Sequence, residues 1–390
     1  MSSSKAFVGA RIFDGAAWHD GKALVTGDGH IADIIDRMSV PADAEIIDAE
    51  GLLIAPGFID LQVNGGGGVM FNNEPDVEGI ARICSAHAQF GTTALMVTLI
   101  TDRPDITTKA AEAGIAAHKA GVPGFLGLHF EGPHLSVARK GTHDPALIRK
   151  METADLAVLT DCKAKLPFVL TTIAPENVTE AQVTALHKAG IVVSLGHTDV
   201  GLGVATAYAE AGASMVTHLF NAMSPLGHRE PGLVGAALSN GKLDCGLIAD
   251  GFHVDPAAIG IALRAKNNPG RIFLVTDAMS TIGTDDDGFE LNGRRVYRNG
   301  GRLTLADGTL AGADIDMLSC IRFMHEKLDT PLEEALRMAS TYPADAIGAS
   351  GKGKLLPGFD ADFVMLTPDL QMHSTWIGAE KIHDATPSGA

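Results

Sequence analysis

Apolar and polar positions change rhythm along the chain near residue 57. Before that point short apolar runs at 6–12, 22–26, 31–35 and 45–48 are separated by turn residues such as Gly27, Asp28 and Gly29, which predicts a small unit of β-strands. From residue 58 onward apolar runs alternate with Ala-rich stretches of helical spacing. The runs fall at 57–63, 92–98, 125–130, 168–173, 191–195, 214–217, 245–249 and 271–276, with helical stretches such as 77–90, 106–120, 180–189 and 201–211 between them. Repeated βα units predict a parallel sheet, and eight strands at this rhythm favour an α/β fold of the (β/α)8 TIM-type barrel class. A doubly wound open sheet is the structural alternative. A last helical stretch at 331–347 precedes another β-patterned segment at 351–366. The simplest packing joins that segment to the first strands, giving a small sandwich-like β domain from 1–57 plus 356–385 around a barrel at 58–355. The polar tail beyond about residue 369 predicts loose order.

Composition narrows the function classes. Of 390 residues, 46% are hydrophobic and 20% charged, so the chain has the make-up of a folded protein and not of a disordered one. Its formal net charge of -17 repels phosphate backbones and anionic lipid, which argues against nucleic-acid and membrane-surface partners. Cys84, Cys162, Cys245 and Cys320 are widely spaced and read as core thiols of a reducing compartment. The first residues lack the apolar core of a signal peptide and no apolar run has bilayer-spanning length, so a cytoplasmic location is expected.

Candidate chemistry gathers where apolar runs end. The third run ends in Glu131, the fifth in His197, the sixth in His218 and Asn221, the seventh in Asp250 and His253, and the eighth in Asp277. In a barrel these ends share one face, where active sites are built. Any one of these residues alone is read most simply as a satisfied histidine or a capping carboxylate. Together, Glu131, His197 and His218 form a one-carboxylate, two-imidazole set suited to Zn²⁺ or a similar divalent ion with one position left for water. Asp277 beside such an ion reads as a general base that later returns its proton to a leaving group.

Motifs at 56–68 (PGFIDLQVNGGGG), 127–136 (GLHFEGPHLS), 140–143 (KGTH), 194–198 (SLGHT), 217–236 (THLFNAMSPLGHREPGLVGA), 249–255 (ADGFHVD) and 275–279 (VTDAM) resemble the N-acetylglucosamine-6-phosphate deacetylases of the amidohydrolase superfamily. The resemblance runs from about residue 5 to 367. It implies a distorted (β/α)8 barrel with a small β domain from both termini, and hydrolysis of N-acetylglucosamine 6-phosphate to glucosamine 6-phosphate and acetate. By matching, Glu131, His197 and His218 bind the metal and Asp277 is the acid/base. His143, Asn221, Ala222, Arg229, His253 and the loop Leu310, Ala311 and Gly312 fall on substrate-binding positions. Arg229 is implied to reach the site of a neighbouring subunit, hence a homodimer.

One departure is informative. Most amidohydrolases carry His-x-His after the first strand for a second metal, whereas this chain has Gln62 and Asn64, neutral amides that are weak ligands. One divalent ion per chain is therefore expected, zinc first, with iron, manganese or cobalt as alternatives. The fourth run also lacks a lysine to be carboxylated, which argues against a deaminase or cyclic-amide hydrolase. A member that has lost catalysis and serves as a scaffold would lose ligands, and here all are present. Near Leu310 the match loosens, with Ala313 and Asp314 where the family often has Ser. The Gly65 to Gly68 run lacks the lysine of a phosphate-binding loop and reads as a flexible loop on the catalytic face.

Overall fold

The computed structural model describes residues 4–385, so the first three residues of the predicted N-terminal unit lie outside the described part. Eight parallel strands run in chain order around one sheet: Phe58–Val63, Thr92–Ile100, Phe125–Glu131, Phe168–Ile173, Val192–Leu195, Met215–Val216, Asp244–Leu247 and Ile272–Leu274. The first two are buried at every position, as expected of strands covered on both faces. Helices Val77–Ala88, Pro104–Ala120, Glu180–Lys188 and Leu202–Ala211 fall at the expected places, within three residues of the expected ends.

The first and eighth strands share no ladder. Residues just beyond the eighth strand close the circle instead: Asp277 N donates to Gln62 O at 3.0 Å, Asn64 N donates to Ala278 O at 2.9 Å, and Val63 bridges Ala278. The result is a distorted barrel, nearly closed, whose seam falls beside the site residues.

Both ends of the chain build the small β part. A six-stranded sheet pairs Arg11–Phe13 and Leu53–Pro56 with the C-terminal strand Phe363–Leu366, and a four-stranded sheet from residues 5–48 packs nearby around Phe7, Ile12, Leu24 and Phe363. Up to residue 385 the tail corrects the expectation of loose order, and its last five residues lie outside the described part. Met372–Ile377 and Glu380–Asp384 are strands, and Trp376 is buried, stacked on Phe363 with ring centroids 5.6 Å apart and edge-on to Phe7 at 5.0 Å. Its polar neighbours are satisfied within the fold, Thr375 Oγ1 donating to Ala88 O at 2.7 Å and Ser374 Oγ accepting from the Trp376 indole at 2.9 Å.

Two further features differ from the pattern reading. The helical stretch at 331–347 is two helices, Leu332–Ala339 and Thr341–Ile347, because Pro343 lacks the N–H an unbroken helix needs and fits only in a first turn. Residues 288–313 form a four-stranded antiparallel sheet, whose last strand Leu310–Ala313 bridges Ala278. The glycine run is a tight hairpin and not a loose loop: Gly65–Gly66 pairs with Val69–Met70, and a Cβ on Gly65 would run into the Val69 carbonyl. All four cysteines are buried and free. Among the described residues no helix is long and apolar enough to cross a membrane.

Candidate active site

At the carboxyl ends of the barrel strands a cavity of about 240 Å³ is lined by Asn64, Glu131, His143, His197, His218, Asn221, Ala222, His253, Asp277, Leu310 and Gly312. Nearly every residue singled out in the sequence meets here. Ala311 is buried behind the wall, Gln62 lies beneath it, and Arg229 is exposed outside it. Thr101 behind His143 and Asp60 beneath Gln62 were missed, since a threonine just past the second strand and a single aspartate inside the first carry no local signal.

Three site residues adopt a left-handed backbone at the ends of their strands: His197 (φ 49°), His218 (φ 28°) and Asp277 (φ 52°). Such conformations cost about 1–3 kcal/mol for non-glycine residues and persist where the surrounding structure enforces them, typically at functional sites. Here the chain turns sharply at the barrel rim and aims each side chain at the common centre.

Glu131 Oε1 lies 3.0 Å from His197 Nε2 and 3.1 Å from His218 Nε2, and the two Nε2 atoms are 3.0 Å apart. His197 Nδ1 donates to Arg139 O at 2.8 Å, which puts the proton of a neutral ring on Nδ1 and leaves the Nε2 lone pair facing inward. Burial alone would raise the Glu131 carboxyl and lower His218. The hydrogen bonds between them outweigh burial, holding Glu131 well below the usual carboxylate range and raising His218. A site that draws a proton onto an imidazole favours positive charge at its centre, and buried carboxylate and imidazole donors suit a divalent cation. The cluster therefore can hold a divalent metal.

His143 competes for that role by proximity. Ligand atoms of Glu131, His143 and His197 all lie within 4.8 Å of one another, with His143 Nε2 4.0 Å from Glu131 Oε1. Its partners point elsewhere. Thr101 N–H donates to His143 Nδ1 at 3.4 Å, with Thr101 Oγ1 at 2.8 Å, so the proton of the neutral ring belongs on Nε2, where it is a donor towards the cavity. Burial, with His197 alongside, pushes His143 down to about 3 and keeps it neutral.

Asp277 Oδ1 accepts from Asn64 Nδ2 at 2.7 Å and from Gln62 Nε2 at 3.1 Å, and the same Gln62 nitrogen donates to Glu131 Oε2 at 3.1 Å. Burial, reinforced by the Glu131 charge, raises the Asp277 carboxyl to about 6. A carboxyl poised there can exchange a proton near neutral pH. His253 Nδ1 is held by Asp250 Oδ2 at 2.6 Å, and Arg294 reaches Thr142 O at the cavity edge.

Comparison with known proteins agrees with this geometry. Residues 53–383 match the Amidohydrolase family. An N-acetylgalactosamine-6-phosphate deacetylase of Shewanella sp. (strain ANA-3) is 43% identical over 86% of this chain and 84% of its own length. The N-acetylglucosamine-6-phosphate deacetylase of Haemophilus influenzae is 36% identical over 89% of this chain and 91% of its own. Among solved structures, the N-acetylglucosamine-6-phosphate deacetylase of Pasteurella multocida superimposes with a TM-score of 0.93 at 36% identity, covering 97% of this chain and 99% of that one. With the barrel, its polar rim and these relatives in agreement, the chain belongs to the amidohydrolase family, among its deacetylases of N-acetylated hexosamine 6-phosphates.

Proposed function

We propose that this enzyme hydrolyses the N-acetyl group of N-acetylglucosamine 6-phosphate to give glucosamine 6-phosphate and acetate, using one divalent ion per chain. The observation that carries the reading is the convergence of Glu131, His197 and His218 within hydrogen-bond distance of one another, beside an Asp277 carboxyl raised to about 6. Glu131 Oε1 and the two Nε2 atoms would hold the ion, zinc first and iron, manganese or cobalt as alternatives. Bound there, such an ion acidifies a water molecule and polarises the acetyl oxygen.

The chain's own side chains supply the proton traffic. Asp277 Oδ1 is fixed by two amide donors, which leaves Oδ2 to take a proton as water adds its oxygen to the acetyl carbon. The same proton passes to the nitrogen as the C–N bond breaks, so the sugar leaves as an amine and the acetyl group as acetate. His143 Nε2–H is placed to donate to the acetyl carbonyl or to a sugar hydroxyl.

The phosphate needs a cation, and no lysine or arginine lines the cavity among the described residues. Asn221, Ala222 and His253 offer polar contacts, with Leu310 and Gly312 shaping the wall. Arg229 is exposed, and Glu230 beside it is occupied with the backbone N–H groups of Leu202 and Gly232 and does not pair with it. A homodimer in which Arg229 of the partner subunit completes the phosphate site accounts for both facts, and the planar guanidinium fork suits a phosphate dianion. Four buried unpaired thiols support a cytoplasmic setting.

The galacto epimer is the second reading, favoured by the 43% identical relative of that name. Acetate release from both epimeric 6-phosphates, each with and without a chelator, decides between them. Chelator-sensitive release with higher kcat/KM on the gluco substrate supports the proposal. Preference for the galacto substrate supports the second reading, and no release from either overturns both.

A further inference from the structure

We propose that Asp60 is a positioning residue for Asp277: a buried carboxyl that staples the first barrel strand to the end of the eighth and so sets Gln62 and Asn64 in register with the proton-carrying side chain. This inference rests on the reading of Asp277 as that carrier and adds a residue that touches neither substrate nor metal.

Seven of the eight junctions around the barrel are backbone ladders, and the one between the first and eighth strands is not. Asp60 stands at that gap. It is 0% exposed, and its carboxyl reaches across to accept from Thr276 Oγ1 at 2.5 Å and from Thr276 N at 3.3 Å, while taking the N–H of Gln62 on its own strand at 3.2 Å. No lysine or arginine pairs with it among the described residues. Burial pushes the carboxyl up to about 7. A buried, unpaired acid is costly where an apolar side chain could pack, so its presence calls for a structural reason.

That reason lies in what the staple holds. Residues 60 and 62 share one face of the first strand, because side chains alternate along it, and Asn64 follows just past its end. Gln62 and Asn64 both donate to Asp277 Oδ1. On the opposite side of the gap, Thr276 immediately precedes Asp277, whose backbone is left-handed and whose N–H donates to Gln62 O at 3.0 Å. Asp60, Thr276, Gln62, Asn64 and Asp277 thus form one connected network, in which the Asp60 carboxyl spans the gap below the site through the hydroxyl and the backbone N–H of Thr276. Slippage there moves Asp277 relative to the two amides, and misplacement of a reacting group by about 1 Å can cost on the order of 10²-fold in rate.

The test uses the metal-loaded full chain with the 6-phosphate substrate it prefers. Thr276→Val removes the hydroxyl at nearly constant volume, and Thr276→Ser keeps it. Thr276→Val is expected to lower kcat by about 10- to 100-fold with KM and bound metal per chain unchanged, and Thr276→Ser to restore most of the loss. In a double-mutant cycle with Asp60→Asn, the combined variant should lose little more kcat than the worse single variant, the sign of a shared interaction. If Asp60→Asn does not fold, the Thr276 pair alone carries the test. A Thr276→Val enzyme that melts earlier yet keeps wild-type kcat would show a purely structural staple and overturn the proposal, as would strictly additive losses. Failure of the underlying reading looks different: Asp277→Asn would then turn over near the wild-type rate whatever Thr276 does.

Discussion

The side-chain amide of Gln62 donates to Asp277 Oδ1 at 3.1 Å, and the same nitrogen donates to Glu131 Oε2. One neutral amide thus ties the carboxylate of the metal-competent cluster to the carboxylate assigned to proton transfer. Imidazoles at 62 and 64 would offer lone pairs to a second ion. The amides present here offer N–H groups to Asp277 instead, which makes them orienting donors.

Metal stoichiometry follows from that chemistry. Elemental analysis of the active enzyme should find about one divalent ion per chain, and the double variant Gln62→His with Asn64→His should take up a second. Two tightly held ions in the wild-type enzyme at full activity would contradict the single-metal account.

Proton transfer and metal binding should separate by mutation. Asp277→Asn is expected to keep its metal and its substrate affinity while kcat falls by about 10² to 10⁴. Glu131→Ala and His197→Ala should lose metal and activity together. Metal content measured beside kcat checks both halves.

The pH dependence has a definite sign. A base must be deprotonated to work, and burial and the Glu131 charge raise Asp277 to about 6, so kcat/KM should fall as pH drops through that region. A cation bound beside it stabilises the carboxylate and moves this limb downward. The limb should vanish from the residual activity of Asp277→Asn; a limb that persists unchanged there would assign the titration to another group.

Arg229→Ala should impair the phosphorylated substrate strongly and unphosphorylated N-acetylglucosamine hardly at all. Losing one partner of a desolvated charged pair costs about 2–5 kcal/mol, a factor of roughly 30 to several thousand in kcat/KM. Mixing Arg229→Ala chains with Asp277→Asn chains should restore part of the activity if the arginine crosses a dimer interface. Equal losses on both substrates would mean that Arg229 supports the fold or the dimer and not phosphate binding.

The tail makes a stability prediction. Trp376 is 4% exposed between Phe7 and Phe363, so Trp376→Ala should cost about 3–5 kcal/mol in denaturant unfolding. A change below about 1 kcal/mol would mean that the C-terminal strands contribute little to the folded state.

The barrel was legible because its strands are continuous apolar runs and its functional residues stand where those runs stop, as at Glu131, His197 and Asp277. What stayed hidden depends on long-range pairing. Ser374 and Thr375 look solvent-facing until the strand that buries them is known, and Trp376 stacks on Phe363, its direct partner across the antiparallel pair. The antiparallel sheet at 288–313 is polar and rich in turns, so its strands lack an apolar signal of their own. Asp60 was invisible for the opposite reason, since a single acid inside an apolar run gives no hint of the bond it makes to Thr276, far along the chain.

The central claim is that one divalent ion, held by Glu131, His197 and His218, supports deacetylation of an N-acetylated hexosamine 6-phosphate. Its most direct test is to strip the protein with a chelator and titrate zinc back while following acetate release from N-acetylglucosamine 6-phosphate. The account predicts no release from the stripped protein and a linear rise that saturates at about one equivalent per chain. Full activity in the stripped protein, or saturation only at two equivalents, would contradict it.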